Sequence, residues 1–198
     1  MTRDDILAAA AQIFSEKGFH AASMQDIALA VELQKASLYY HFASKQELLL
    51  ALLDQALELL IAEMQCVVNE PLPPDQKLRS AMVAYLRTML DHRQLAAVLL
   101  LEHRSLDPDL QSRHIPRRDR FERLWRDLIQ DGIEQGAFAC SDPALATRGL
   151  LGVLNWTITW YRPDGELQPE AIAGQFANLF LYGLLGCPSP FRPDGLID

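Results

Sequence analysis

The sequence predicts an all-α protein of about nine helices, with a small three-helix N-terminal unit and a larger helical domain behind it. Three observations carry that prediction. Leu and Ala dominate the composition, and β-branched runs are few. Apolar residues recur at spacings of three and four along most of the chain, which is the period of an amphipathic helix. The breaks between these stretches carry helix punctuation rather than hairpin turns: Lys17-Gly18, Asn69-Glu70-Pro71, Asp107-Pro108, Asp142-Pro143 and Pro163-Asp164-Gly165. The two units are read as residues 1–46 and 47–198.

Each element follows from local chemistry. Ile6, Ala10, Ile13 and Phe14 form one face of a first helix, stopped by Gly18. Ser23 caps a second, short helix built on Met24, Ile27, Ala28 and Val31. A third begins near Lys35 and presents Lys35, Ser37, Tyr39, Tyr40 and His41. From Lys35 to His41 is about 10 Å at ~1.5 Å per residue, a length that fits one major groove of DNA. Two helices joined by a tight turn, the second rich in donors and aromatics, read as helix-turn-helix. Ser44 and Glu47 read as a capping box for a long fourth helix, SKQELLLALLDQALELLIAEM, which is apolar on more than one face and must enter both units.

Beyond the prolines at 71, 73 and 74, Leu78, Met82, Tyr85, Leu86 and Met89 mark a fifth helix. Leu95 to Leu101 form a sixth, apolar all round. Asp107-Pro108 reads as a cap followed by a first-turn proline. A seventh helix is placed from about Pro116, burying Phe121, Leu124, Trp125, Leu128, Ile129 and Ile133 and ending near Gly136. The eighth runs from Asp142-Pro143 to Tyr161 and the ninth from Pro169 to about Gly186. The tail CPSPFRPDGLID reads as irregular.

Composition narrows the function. With 198 residues, 49% hydrophobic and 22% charged, the chain has the balance of an ordinary soluble globular protein. No apolar run approaches the ~18 residues of a membrane span. Asp4 and Asp5 stand where a signal peptide needs basic residues, so a cytoplasmic protein without membrane attachment is expected. Cys66, Cys140 and Cys187 read as separate buried thiols. His20, His41, His92, His103 and His114 never fall at a ligand spacing, so neither a metal site nor a cofactor is expected. There is no phosphate-binding glycine loop and no nucleophile elbow, which argues against an enzyme. The net charge of −8 is unusual for a DNA binder. Affinity must then come from a few placed cations and backbone N–H groups rather than a basic field.

The block Ser37-Leu38-Tyr39-Tyr40-His41-Phe42 with Ser44-Lys45 resembles the DNA-binding domain of the tetracycline-repressor (TetR) family. Ile27-Ala28 and Lys35 extend the match, as do Ile6-Leu7, Ala10, Phe14, Glu16 to Phe19 and Ser23. The resemblance implies a homodimer on a palindromic operator in double-stranded DNA. Ser23, Gln34, Lys35, Ala36, Ser37, Tyr39, Tyr40, His41 and Lys45 are the expected DNA-binding residues, with His41 and Lys45 on phosphates. Two positions depart from the family pattern: Glu32 stands where a turn glycine is usual, and Gln34 is a poor cap.

The last two helices are apolar nearly all round, which implies a subunit interface. Gly149, Gly152, Val153, Phe176, Leu179 and Phe180 are its expected residues, the glycines allowing close helix approach. The stretch Leu154 to Gly165, with Arg120 to Trp125 upstream, resembles a subgroup of the family whose members often sense acyl-CoA thioesters. That resemblance implies a small-molecule effector in the larger domain, with an acyl-CoA as the candidate. Seven of the fourteen arginines lie between Arg104 and Arg126 and suit phosphates. Met82, Tyr85, Met89, Arg117, Arg118, Phe121, Trp125, Trp156 and Arg162 are the expected ligand-binding residues. A plainer reading makes the arginines a solvated face, with Asp119–Arg123 and Glu122–Arg126 pairing along the helix. The reading is thus a homodimeric repressor released from its operator by a small molecule. The alternative is an acyl-CoA-binding sensor whose DNA-binding domain no longer functions.

Overall fold

The computed structural model describes residues 2–184, and nine α-helices lie among them. These are α1 (Arg3–Lys17), α2 (Met24–Ala30), α3 (Lys35–His41), α4 (Lys45–Asn69), α5 (Pro74–Asp91), α6 (Arg93–Leu101), α7 (Pro108–Glu134), α8 (Pro143–Trp160) and α9 (Pro169–Leu184). A 3₁₀ turn at His103–Ser105 joins α6 to α7, and no strand occurs among the described residues. The all-α expectation holds. The expected helix end near Gly186, Cys187 and the proline-rich tail lie outside the described residues.

Capping explains where the short helices start. Thr2 and Asp5 form a capping box on α1, and Ser23 and Asp26 form one on α2. Ser44 accepts from the Glu47 amide at 3.0 Å, but the Glu47 carboxylate turns to Arg113 at 2.9 Å instead of closing a box. Gly18, at φ +78°, ends α1 as expected. Glu32 sits at φ +53°, so the turn that usually takes a glycine keeps its left-handed geometry here around a bulkier side chain.

The seventh helix needs correction. It opens at Pro108 and passes straight through Pro116 to Glu134. A proline inside a helix removes one hydrogen bond and normally breaks it. Here Arg113 and Arg117, on either side of Pro116, are both ion-paired to α4, at 2.9 Å to Glu47 and 2.6 Å to Glu58. Tertiary contacts on both flanks hold the helix continuous. The cysteines need a smaller correction: Cys66 is exposed on α4, on the side turned away from the cores, and Cys140 is half-buried.

Two hydrophobic cores organise the chain. The first joins α1, α2 and α3 with Leu48 to Ala56 of α4, and also takes Leu95 and Val98 of α6. The second joins Leu57 to Val67 of α4 with α5, α7, α8 and α9. The cores meet inside α4, between Ala56 and Leu57, so that helix is shared by both. The all-round apolar character of α6 has the same origin: one side packs on the first core, while Ala96 packs in the second.

The helices α8 and α9 bury one face each in the second core, through Leu150 and Leu154, and through Ile172, Ala173, Ala177 and Leu181. Phe176 and Phe180 are half-buried at the edge of that core. The other faces stay open. Leu145, Gly149, Gly152, Val153, Trp156 and Trp160 form an exposed stripe along α8, and Leu179 and Tyr182 stand out from α9.

Candidate DNA-reading helix and effector cavity

Of the seven residues in α3, only Leu38 is buried. It anchors the helix in the first core together with Phe42 just beyond its end. Everything else on α3 faces outward: Lys35, Ala36, Ser37, Tyr39, Tyr40 and His41. Gln34, just before the helix, makes no capping bond, as its chemistry implied. Tyr40 is 89% exposed, an arrangement that is costly for an aromatic side chain with no partner. Lys35 lies 5.9 Å over the Tyr39 ring, and Tyr40 packs edge-on to His41 at 5.6 Å. The helix therefore presents a pre-arranged row of cation, hydroxyls, aromatic rings and imidazole.

Two expected DNA contacts have other work. The Ser23 hydroxyl donates to the Asp26 carboxylate at 2.6 Å and accepts from its amide at 3.1 Å. That hydrogen bond, with Lys17 at 3.0 Å, holds the Asp26 carboxyl down at about 2. The Lys45 ammonium, expected at a phosphate, instead donates to the carbonyls of Phe19 and Ala22, each at 2.7 Å, and lies 4.3 Å over the Phe19 ring. A cation caught by carbonyls at the α1–α2 turn fixes the start of α4 to the reading domain and leaves little donor capacity for DNA.

In the larger domain, a cavity of about 270 Å³ lies between α4, α5, α6, α7 and α8. Leu57, Leu99, Leu100, Phe121 and Leu151 give it apolar walls, and Tyr85, His103, His114, Arg118, Glu122 and Asn155 give it polar ones. Tyr85 is buried, stacks on Phe121 at 5.9 Å and donates its hydroxyl to the Asn155 side-chain oxygen. Burial pushes the Tyr85 phenol well up, so it remains a donor. Burial also pushes the His103 imidazole below its usual range, and the nearby Arg104 cation acts in the same direction, favouring the neutral ring.

Of the nine expected ligand residues, Tyr85, Phe121 and Arg118 line the cavity. The other six expected ligand residues do not. Met82, Met89 and Trp125 are buried in the second core and do not line this cavity. Trp125 is fully buried with its indole N–H unpartnered. Trp156 points out along the open stripe of α8, 67% exposed. Arg162 lies in the turn after α8, where its carbonyl accepts from Gly165 at 3.0 Å. Arg117 is bound to α4, at 2.5 Å to Asp54 and 2.6 Å to Glu58.

Sequence reasoning missed Leu57, Leu99, Leu100, His103, His114, Glu122, Leu151 and Asn155. Two signals were present. His114, Arg118, Phe121 and Glu122 share one face of α7 at helical spacing, a face that a search for apolar residues alone discards. Asn155 is a lone amide in the apolar run LLGVLNW. The expected Asp119–Arg123 and Glu122–Arg126 pairs do not form among the described residues. Arg118 pairs with Asp119 at 3.0 Å, and Glu122 approaches Arg148 at 3.9 Å.

Behind the cavity runs a polar seam. His114 is buried, and its Nδ1–H donates to Asp54 at 2.9 Å, the same carboxylate that takes Arg117. At the other end of the seam, the Gln46 amide donates to the Ser105 carbonyl at 2.9 Å and accepts from the Asp107 amide at 3.1 Å. The 3₁₀ turn is therefore stitched to the first turn of α4.

A third helix that faces outward except at Leu38, on a three-helix head with a cavity-bearing helical body behind it, defines a helix-turn-helix regulator. The comparisons with known proteins agree. Residues 6–52 match the model of bacterial regulatory proteins of the tetR family, and residues 71–184 match the tetracyclin repressor-like C-terminal domain. The chain belongs to the TetR family of transcriptional regulators, and it is not an enzyme. It is 29% identical to the HTH-type transcriptional repressor KstR2 of Mycobacterium tuberculosis over 92% of each chain. It superposes on the TetR family regulator PfmR of Thermus thermophilus with a TM-score of 0.83 at 39% identity, over 89% of this chain and 97% of that one. AibR in complex with isovaleryl coenzyme A and operator DNA gives a TM-score of 0.79 at 26% identity, over 92% and 97%.

Proposed function

We propose that the protein is a homodimeric repressor that holds a palindromic operator through α3 of each protomer and is released when an acyl-CoA thioester places its acyl group in the cavity. The observation that carries this reading is the double duty of α6 and the turn after it. Leu99, Leu100 and His103 line the cavity, while Leu95 and Val98 on the same helix pack in the first core with α1, α2 and α3. An occupant that moves α6 moves the base on which the reading helix stands. Ser105 and Asp107, hydrogen-bonded to Gln46, pass the same displacement to the start of α4.

Size and charge support the ligand class. A volume of about 270 Å³ lies just below the usual range of ligand sites, ~300–1,000 Å³, and suits an acyl group with the nucleotide left outside. Arg118 stands at the exposed part of the cavity wall, and Arg126, two turns further along α7, is also exposed, with no ion-pair partner among the described residues. Guanidinium groups so placed suit phosphates. That AibR was solved with isovaleryl coenzyme A and operator DNA supports the same class.

The open stripe on α8 and α9 supports the dimer. Among the described residues, a Cβ added at Gly149 or Gly152 would meet nothing within 4 Å, so both leave room for another helix. Dimeric heads suit half-sites ~34–36 Å apart, and a small change in their separation prevents both from engaging one duplex. Selection of operators from random DNA, with and without a mixed set of acyl-CoA thioesters, tests the reading. A palindrome that enriches only without thioester supports it; a palindrome that enriches equally in both arms contradicts the ligand assignment.

A further inference from the structure

Among the polar groups of the cavity wall, Tyr85 and Asn155 form a part-buried, hydrogen-bonded pair that carries no charge. Tyr85 is almost fully buried, and Asn155 comes from an apolar stretch of α8. An amide has four hydrogen-bonding positions. The bond with Tyr85 uses one, and among the described residues the Asn155 side chain has no other protein partner. Both residues line the cavity. Either orientation of the amide leaves at least one donor for an occupant: the Asn155 N–H₂ when Tyr85 donates, or the Tyr85 O–H when Asn155 does. A plain alkyl chain would strip water from this pair and return nothing, which penalises its binding. An oxygen on the chain would accept the free donor.

We propose that the cavity selects an effector whose acyl group carries an oxygen of its own, a ketone or a hydroxyl, read by Asn155 and Tyr85. This rests on the acyl-CoA reading for the remainder of the ligand. The wall supplies the contrast that makes the pair selective: Leu57, Leu99, Leu100 and Leu151 accept hydrocarbon alone. Charged and titratable groups stand in the same wall, His103 on the 3₁₀ turn and His114, Arg118 and Glu122 on α7, with Arg118 exposed where Tyr85 is buried.

The test is calorimetric titration of the full chain with pairs of thioesters matched in carbon number, one plain and one bearing a keto or hydroxyl group, and with the corresponding free acids. Wild type is expected to favour an oxygenated thioester by roughly tenfold or more, the scale of a buried polar group left unpaired. Asn155→Leu should reduce that ratio toward one, and Tyr85→Phe, which releases the amide from its anchor, should reduce it in part. Tyr85→Phe keeps the ring stacked on Phe121, so the test survives if the other variant does not fold. Thioesters bound without discrimination would overturn the inference and leave the acyl-CoA reading standing. Discrimination among the free acids with no thioester binding would do the reverse. Binding of neither class would overturn both.

Discussion

Lys45 shows how one side chain can look like a DNA contact and act as a clamp. It opens α4 beside the reading helix, yet its ammonium is held by the Phe19 and Ala22 carbonyls. Lys35 has no such carbonyls and stands free on the outward face of α3. The two cations therefore predict different losses. Lys45→Met should destabilise the reading domain by about 1–3 kcal/mol, since it leaves part-buried carbonyls without a donor, and should leave the salt dependence of operator binding unchanged. Lys35→Ala should barely alter stability but lower the slope of log affinity against log salt by about 1, as loss of one phosphate contact does. Urea melts and binding titrations at several salt concentrations separate the two.

At the scale of elements, α4 and α7 are joined through charge as well as apolar packing. Asp54 accepts from both His114 and Arg117, at 2.9 Å and 2.5 Å, and His114 also lines the cavity. Asp54→Asn should keep the volume and weaken this junction. The expected outcome is an effector that still binds while reducing operator affinity less than in wild type, read as the ratio of operator Kd with and without effector. An unchanged ratio would remove the α4–α7 seam from the transmission path. The element order was largely legible in the sequence because caps, prolines and apolar periodicity are local signals. Ser23, Gly18, Pro143 and Pro169 each mark a boundary that the fold keeps. Pro116 misled for the opposite reason, since ion pairs to α4 override a local preference. The reading helix was legible too, because its six exposed residues fall within seven consecutive positions around the buried Leu38. The cavity was not. Its walls come from five helices and one turn, and the residues that distinguish lining from core, such as Tyr85 from Met82, differ only in what faces them across the body.

For the whole molecule, the open stripe of α8 and α9 is the face on which the proposed dimer would close. Trp156, Leu179 and Tyr182 are 67%, 70% and 77% exposed in a single chain, an apolar area that a partner would cover. Trp156→Asp places a charge in the middle of that stripe. It should shift the protein to monomers in sedimentation, leave the helical content intact and abolish tight binding to a palindrome while sparing weak half-site binding. A variant that remains dimeric would move the interface off this face.

In the proposed mechanism, occupancy of the cavity and engagement of the operator are thermodynamically opposed. The most direct measurement is operator affinity at increasing concentrations of an acyl-CoA thioester that calorimetry shows to bind, together with thioester affinity in the presence of saturating operator. Binding linkage requires both to change by the same factor. A mutual weakening of about 5-fold to 150-fold, the usual range of allosteric coupling at 1–3 kcal/mol, is the predicted result. Operator affinity that stays constant while the cavity fills would contradict it.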